Sequence, residues 1–399
     1  ILPYGAPFPK RAAGGPVCQD RPMTDQLARV LDLLASHPLV DGHNDLVWEA
    51  RELAGYDFDV LDLNGRTPTQ TDWPRAASGR LGGQFWSVYV PGTLPPGDAL
   101  VATLEQIDGA RRMIASYPDR LALALTAAEV QATFASGCIA SLLGAEGGHS
   151  IASSLGVLRQ FYALGVRYLT LTHNQNVGWA DSATDVPDVG GLSAFGESVV
   201  RELNDLGMLV DLSHVSDATM RAALRVTRAP VIFSHSGARS VCSAPRNVPD
   251  DVLAELAGNG GVCMAVFARD FVSQECWDHA QGGIEAARAA GLDPTDISAS
   301  TAFKRDWERE HPGPEATLAQ VADHIERIRD VAGVAHVGIG GDFDGVANLP
   351  VGLEDVSCYP ALFAELAGRG WSDADLIALA SGNILRVMRD AEAVAAAPS

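Results

Sequence analysis

The sequence predicts an α/β protein whose strands close into a (β/α)8 barrel of the TIM type. Short runs of apolar or β-branched residues alternate with longer segments of helical period, which is typical of parallel strands joined by crossover helices. Eight such runs occur, and eight strands close a barrel of this kind. Six of the eight end in residues of metal-binding type, at the end of the strand where such barrels carry their chemistry.

The predicted elements follow one another along the chain. The strands are expected at 39–45, 84–90, 139–147, 166–173, 209–215, 231–236, 261–267 and 336–344. Apolar residues at helical spacing predict helices near 99–116, 152–164, 193–206, 217–227, 249–258 and 315–331. The polar segment 268–313, rich in Ala and Gly, is predicted to be an elaborated loop after the seventh strand, and 360–395 to form additional C-terminal helices.

Composition excludes several classes of partner. The formal net charge is −21, which argues against nucleic acid and against an anionic membrane surface, because both require a basic face. No apolar run approaches the roughly 18 to 20 residues that span a membrane. The sequence therefore predicts neither a nucleic-acid partner nor a membrane anchor, and it is compatible with a homodimer.

The first residues of the sequence differ from the rest. Residues 1–22 are rich in Pro and Gly and lack periodicity, whereas a helical pattern begins at Met23, a candidate for the natural start. We expect 1–22 to be an extension without a part in the chemistry and 23–399 to form a single barrel domain. No apolar signal-peptide core is present. This favours a cytoplasmic location, although a processed secreted protein would look similar.

The strand ends indicate a metal centre. The residues concerned are His43, Asp45, Glu146, His173, His214, His235 and Asp342. A single histidine beside an apolar run is usually structural, but recurrence at one topological position indicates ligands that converge from different strands. Imidazoles combined with carboxylates favour zinc over magnesium or calcium, which prefer oxygen ligands. So many ligands exceed the needs of one tetrahedral zinc, so two zinc ions are predicted, linked by a bridging carboxylate.

Spacing within the runs distinguishes the acidic residues. His43 and Asp45 lie two apart, so their side chains can project to one face of the strand and bind the same ion. Asp41 has the same parity but lies about 7 Å further back, and we expect it to support the ligands. Asp342 competes with Asp344 for a catalytic role. Asp342 is expected nearer the barrel rim, while Asp344 is expected to shape the DFDG turn.

Six motifs occur in a characteristic order. They are HND after an apolar run, GAEGGHS, LTHNQNVGWADS, LVDLSHVS, FSHSGARSVCSAPRNVPDD and GIGGDFDGV. In this order the chain resembles a bacterial member of the renal or membrane dipeptidase family, zinc enzymes within the amidohydrolase-type barrels. The resemblance runs from about residue 37 to about residue 390 and implies a metallo-dependent hydrolase domain.

The resemblance implies a role for each residue at the strand ends. It implies that His43 and Asp45 hold one zinc, that His214 and His235 hold the other, and that Glu146 bridges both. It also implies that Asp342 transfers protons, that His173 stabilises the oxyanion, and that Arg246 binds the C-terminal carboxylate of the substrate. Without the resemblance, Arg246 would be interpreted as readily as a residue of a helix-capping loop.

The function implied is a zinc-dependent dipeptidase that cleaves dipeptides with a metal-bridging hydroxide and tolerates a D-residue at the C-terminal position. Two alternatives stay open at this point. A dizinc amidohydrolase could act on another small amide, a lactam or an ester, since these barrels support many chemistries. A catalytically inactive metal-binding homologue is the other, but a pure scaffold would not need the proton-transferring Asp342.

Four positions qualify the resemblance. Phe271 stands where the family has a substrate-binding tyrosine, so side-chain preference is left open. Cys242 and Cys276 fall near positions that form a disulfide in animal members, which leaves a bridge between them as an expectation to test. His149, in the glycine-rich loop after Glu146, is expected to be structural or to support the ligands.

Overall fold

A computed structural model describes residues 25–397, apart from the side chains of 297–299 and 301. The predicted extension 1–22 lies outside the described residues. Within them, the strands are β1 (Leu39–Asn44), β2 (Leu81–Ser87), β3 (Leu121–Leu123), β4 (Ile139–Glu146), β5 (Val166–Thr170), β6 (Leu209–Asp211), β7 (Ile232–Phe233), β8 (Val262–Ala265) and β9 (Val337–Ile339). No helix among the described residues is both long and apolar enough to cross a membrane.

The strands form a closed parallel barrel. The order of hydrogen-bonded neighbours is β2, β1, β9, β8, β7, β6, β5 and β4, and β4 pairs back with β2 to close the ring. The short β3 pairs with residues 139–141 at the start of β4, and β5 pairs with residues 143–146 of the same strand. The predicted (β/α)8 barrel is confirmed, while the additional strand β3 was not predicted because three residues carry no recognisable alternation.

Helices surround this barrel. They are α1 (Asp25–Ser36), α2 (Leu46–Ala54), α3 (Trp73–Ser78), α4 (Pro96–Ser116), α5 (Ala127–Ala135), α6 (Leu155–Ala163), α7 (Ala194–Leu206), α8 (Asp217–Val226), α9 (Asp250–Asn259), α10 (Arg269–Val272), α11 (Gln274–Ala289), α12 (Ile297–Glu310), α13 (Leu318–Ala332), α14 (Tyr359–Gly368), α15 (Asp373–Ile377) and α16 (Asn383–Ala396). The predicted helices between the strands and the additional C-terminal helices are confirmed.

The elaborated connection predicted over 268–313 after the seventh strand is present, but most of it is helical, in α10, α11 and α12, which was not predicted. Gly282 and Gly283 lowered the helical signal in the sequence. In the structure a Cβ atom at either position would lie 3.0–3.1 Å from the ring of Trp307. The two glycines therefore let α11 approach α12 closely, and a packing requirement overrides helix propensity.

The apolar core lies at the amino-terminal end of the barrel and between the strands and helices. Inside the barrel Val40, Phe85 and Leu142 are fully buried, and Met388 of α16 belongs to the same apolar cluster. The opposite, carboxyl-terminal end of the barrel carries polar residues. This division leaves one end of the barrel for packing and the other for chemistry.

The cysteine pairing considered from the resemblance does not form. Cys242 and Cys276 are both free and buried. The Sγ of Cys242 lies 3.7 Å from the carbonyl oxygen of Asp270, and the Sγ of Cys276 lies 3.4 Å from that of Pro314. These thiols therefore act as small packing groups.

Candidate active site

The polar strand ends converge on one buried cluster. Three overlapping groups have ligand atoms within 4.8 Å of one another: His43 with Glu146 and His235, Glu146 with His173 and His214, and His43 with Asp45 and Asp342. All seven of these side chains are buried. The structure thus brings together every residue that was predicted at the strand ends.

Glu146 lies between two parts of this cluster. Its Oε2 is 3.5 Å from Nε2 of His43, whereas its Oε1 is 3.0 Å from Nε2 of His214 and 3.5 Å from Nε2 of His235. On the His43 side, Oδ2 of Asp45 lies 3.2 Å from the same Nε2 atom. One carboxylate therefore turns each of its oxygens toward a different set of ligand-type atoms.

Unsatisfied polar atoms show that this cluster fits cations. Oδ1 of Asp45 is buried without a hydrogen-bond partner among the described residues, and Nε2 of His43 faces only the carboxylates of Asp45 and Glu146; a buried unsatisfied acceptor is costly unless something binds it. Burial holds the pKa of His173, His214 and His235 well below the usual range. The three imidazoles are therefore neutral, as metal ligation requires.

His43 differs from the other histidines. Burial alone would lower its pKa, but Tyr168, Glu146 and Asp45 together outweigh burial and raise the pKa well above its ordinary value. The carboxylates around His43 thus favour positive charge at this point, which is the charge that a divalent ion provides.

Tyr168 orients the ring of His43. The Tyr168 hydroxyl lies 2.8 Å from Nδ1 of His43 and 3.3 Å from the carbonyl oxygen of Gly42. The hydroxyl can donate to that carbonyl and accept from Nδ1–H, which leaves the Nε2 lone pair facing Glu146. Gly144 makes room for this arrangement, because a Cβ there would lie 2.0 Å from the tyrosine ring.

Two buried aspartates hold the loops that carry the histidines. Asp41 accepts hydrogen bonds of 2.8 Å from the backbone N–H of His43, from the N–H of Gly341 and from the Tyr359 hydroxyl. It therefore supports the loop from behind rather than joining the cluster.

Asp211 supports the loops that carry His214 and His235, as Asp41 supports the loop that carries His43. It accepts hydrogen bonds from the N–H of Ser213 at 3.1 Å and from the Ser234 hydroxyl at 2.6 Å. The Ser234 oxygen is in turn 2.8 Å from Nδ1 of His235. Asp211 was not predicted, although it precedes His214 in LVDLSHV much as Asp41 precedes His43 in LVDGHND.

The backbone at the strand ends adopts an unusual conformation. His214, Asp342 and Asp344 have φ angles of 67°, 59° and 66°, in the left-handed region. Such conformations are costly for residues with side chains and tend to cluster at functional sites. They also explain why the strands end before these residues, several positions earlier than predicted.

Asp342 and Asp344 have different surroundings. Oδ1 of Asp342 is 3.9 Å from Nε2 of His43, and burial, reinforced by Asp45 and Glu146, raises the pKa of Asp342 to about 8. Asp344 accepts a hydrogen bond of 2.5 Å from the N–H of Gln70. Asp342 thus lies in the cluster, while Asp344 ties the DFDG turn to a neighbouring loop.

His173 and His149 also occupy different environments. The ring of His173 lies 4.3 Å from that of His214 and 4.9 Å from that of Tyr89, and its Nε2 is 3.8 Å from Oε1 of Glu146. His149 instead donates from Nε2 to the carbonyl oxygen of Val90 at 3.0 Å. His149 therefore links two loops and does not join the cluster.

Arg246 is a buried cation without a carboxylate of its own. It is 2% exposed, and among the described residues its hydrogen bonds go to a hydroxyl and a carbonyl oxygen, not to a carboxylate. Its contacts to the Ser236 hydroxyl and the His235 carbonyl are both 3.4 Å, and its Nε has no partner. The guanidinium carbon lies 5.4 Å from the ring of Phe271. Burial lowers the pKa of Arg246 to about 10. The guanidinium therefore stays charged at neutral pH and can bind an anion.

A cavity of about 850 Å³ opens over the cluster. Its floor includes Glu146, His214 and Asp342, and Arg246 lies on its wall. Helices α10, α11 and α12 form one side of it, the part of the fold that had been predicted as a loop. The site is thus concave, polar at its base and large enough for a small organic substrate.

A parallel barrel with neutral imidazoles and carboxylates at the carboxyl ends of its strands is the arrangement expected of a metal-dependent hydrolase. Comparison with known proteins identifies the family. Residues 27–399 match the family model for membrane dipeptidase, peptidase family M19, so the chain belongs to that family and is a dipeptidase-type hydrolase.

Individual relatives agree with this assignment. The chain is 44% identical over 385 residues to dipeptidase verJ of Clonostachys rogersoniana, which covers 93% of this chain and 89% of that protein. It is 42% identical over 371 residues to dipeptidase 3 of Mus musculus, covering 92% and 67%. The probable dipeptidase PvdM of Pseudomonas aeruginosa has the same fold, with a TM-score of 0.81 at 24% identity and coverage of 92% and 99%.

Proposed function

We propose that this protein is a two-zinc dipeptidase in which His43 and Asp45 hold one ion and His214 and His235 hold the other. The observation that supports this most directly is the position of Glu146, whose two carboxylate oxygens face the two groups separately. The mixture of imidazole and carboxylate ligands favours zinc.

The ions would supply Lewis acidity and a water molecule of lowered pKa. Asp342 belongs to the cluster and can take a proton at Oδ1 and return it to the leaving amine. His173 is held neutral by burial and can donate a hydrogen bond to the oxygen on which negative charge develops.

Arg246 is proposed to set the length of the substrate. Its guanidinium is buried on the cavity wall and lacks an internal carboxylate partner, so a substrate carboxylate would complete its pairing. A peptide bond can reach the cluster only if the carboxylate is close to it in the substrate. Free dipeptides should therefore be cleaved and amidated dipeptides should not.

We further propose that the C-terminal residue of the substrate can have either configuration. Arg246 binds only the carboxylate in this scheme, and the cavity of about 850 Å³ is also lined by residues of α10, α11 and α12. A side chain of the last residue can then extend in either direction.

The cytoplasmic location and the homodimer stay predictions.

Zinc titration of chelator-treated protein tests the proposal. Activity toward L-Ala-L-Ala should return with about two equivalents of zinc, and L-Ala-D-Ala should also be cleaved, whereas L-Ala-L-Ala amide should not. Active protein without bound metal would rule out the zinc mechanism. Cleavage of a β-lactam or cyclic amide but of no dipeptide would instead favour another amide substrate.

A further inference from the structure

One wall of the cavity is acidic and aromatic. Helix α2 begins directly after Asp45, and its residues Trp48, Glu49 and Glu52 line the cavity together with Tyr89 of the neighbouring loop. Because an α-helix repeats every 3.6 residues, Glu49 and Glu52 follow Asp45 along the same side of the helix. The wall thus continues outward from the metal cluster as a row of carboxylates.

Two carboxylates of this wall are not used in ion pairs within the part of the chain that the structure describes. Among the described residues, neither Glu49 nor Glu52 forms an ion pair with a basic side chain. Arg51, the basic residue between them, turns instead to Glu105, with its Nη2 3.0 Å from the Glu105 Oε2. Burial, together with Asp344 and Asp45, raises the pKa of Glu49 to about 8, and a cation bound between Glu49 and Glu52 would favour the ionised form of both.

A buried acceptor in the same wall supports this interpretation. Asp344 also lines the cavity and is 8% exposed, and its Oδ2 has no hydrogen-bond partner. The Asp344 Oδ1 is already occupied by the N–H of Gln70 at 2.5 Å. An acceptor is therefore left over at the inner edge of the wall.

Tyr89 completes the site for a cation, because the guanidinium carbon of Arg51 already lies 5.6 Å from the centroid of the Trp48 ring. The rings of Trp48 and Tyr89 lie 5.1 Å apart in an edge-to-face arrangement. Aromatic faces beside carboxylates attract guanidinium and ammonium groups through cation–π contacts and charge. An uncharged side chain would gain only the apolar part of this environment.

The wall lies away from Arg246 around the barrel. Arg246 follows β7, and the wall follows β1 and β2, with β8 and β9 between them. A dipeptide with its carboxylate at Arg246 and its peptide carbonyl above Glu146 would therefore extend its first residue toward α2. We infer that Glu49 and Glu52 select substrates whose first residue has a cationic side chain, such as arginine or lysine.

This inference rests on the proposed function, and matched substrates test it. The zinc-loaded enzyme is assayed with L-Arg-L-Ala against L-citrulline-L-Ala, and with L-Lys-L-Ala against L-norleucine-L-Ala. Each pair has nearly the same shape and differs in charge. We expect kcat/KM to be roughly tenfold higher for the cationic member, the size expected of a charge-assisted contact.

Two variants and a control assign the effect to the wall. Glu49→Gln and Glu52→Gln should each lower the ratio of kcat/KM for the cationic and neutral substrates about threefold or more. Glu255→Gln removes one carboxylate from the exposed surface of α9 and should leave the ratio unchanged. The ratio is internal to one protein sample, so partial misfolding of a variant does not alter it.

The outcomes separate the two proposals. Cleavage of L-Ala-L-Ala with a ratio near one for both substrate pairs would overturn the cationic preference and keep the dipeptidase. A preference that persists in the Glu49→Gln, Glu52→Gln double variant would also overturn the assignment. If the zinc-loaded protein cleaved none of these dipeptides, the proposed function would be overturned, and this inference with it.

Discussion

Replacement of Arg246 by methionine should separate catalysis from stability. The guanidinium is 2% exposed, and burial lowers its pKa from 12.5 to about 10, which corresponds to a cost of about 3 kcal/mol for keeping it charged in the fold. Because the folded pKa of this base is depressed, the cost is fully present below about pH 10. Methionine fills a similar space without charge, so the free energy of unfolding should rise, by up to about 3 kcal/mol.

Catalysis should change in the opposite direction. Loss of a buried pair with the substrate carboxylate costs about 2 to 5 kcal/mol, and about 3 kcal/mol corresponds to a roughly 100-fold fall in kcat/KM. The variant should also lose its preference for a free dipeptide over the amidated dipeptide, because that preference depends on the carboxylate.

Urea unfolding at a fixed free zinc concentration and steady-state kinetics measure both effects. Arg159→Met is a matched control away from the cavity, since Arg159 makes a single contact of 3.0 Å, to Glu202. The control should lose about 1 kcal/mol or less of stability and keep its activity. An Arg246→Met protein that is less stable than wild type, or that still prefers the free dipeptide, would refute the reasoning.

Four further predictions concern the cluster. Asp342→Asn should lower kcat roughly 100-fold or more with little change in metal content, as kinetics and elemental analysis would show. Because the folded pKa of Asp342 is raised to about 8, the metal-free native state retains a proton that the unfolded state releases. The free energy of unfolding of the metal-free protein should therefore fall between pH 6.5 and pH 8 by about 1 kcal/mol per pH unit. Urea unfolding at several pH values should show a weaker pH dependence of this free energy for the Asp342→Asn variant. Tyr168→Phe removes the group 2.8 Å from Nδ1 of His43 and should weaken zinc binding about 10- to 100-fold in chelator competition; unchanged affinity would argue against that role. Gly345→Ala would place a Cβ 2.3 Å from Oδ2 of Asp45 and 2.5 Å from Oδ1 of Asp342, so the purified variant should contain less zinc than wild type, and a full complement would contradict the proposed geometry.

The barrel and the convergence of its polar residues were predictable because both are repeated in the sequence. Six of the eight predicted strands carry apolar residues in the packed part and a residue of metal-binding type at the carboxyl end, and parallel strands place all those ends at one rim. His43 and Glu146 are 103 residues apart in sequence, yet the barrel brings them within 3.5 Å. One topological rule was sufficient to group them.

The supporting residues were not predictable from the sequence in the same way. Tyr168 looks like an ordinary strand residue in VRYLTLTH. His43 is 125 positions away in the sequence, and only the closed barrel brings its Nδ1 within 2.8 Å of the Tyr168 hydroxyl. The helices over 268–313 were missed because their glycines serve packing against Trp307. The acidic wall was missed because Glu49 and Glu52 look like solvent-exposed positions of an amphipathic helix until the cavity above them is known.

The central proposal is a pair of zinc ions linked by Glu146, and anomalous diffraction at the zinc absorption edge from crystals of zinc-loaded protein tests it most directly. We predict two peaks on either side of the Glu146 carboxylate, one next to His43 and Asp45 and the other next to His214 and His235. A single peak, or a second peak away from Glu146, would contradict it.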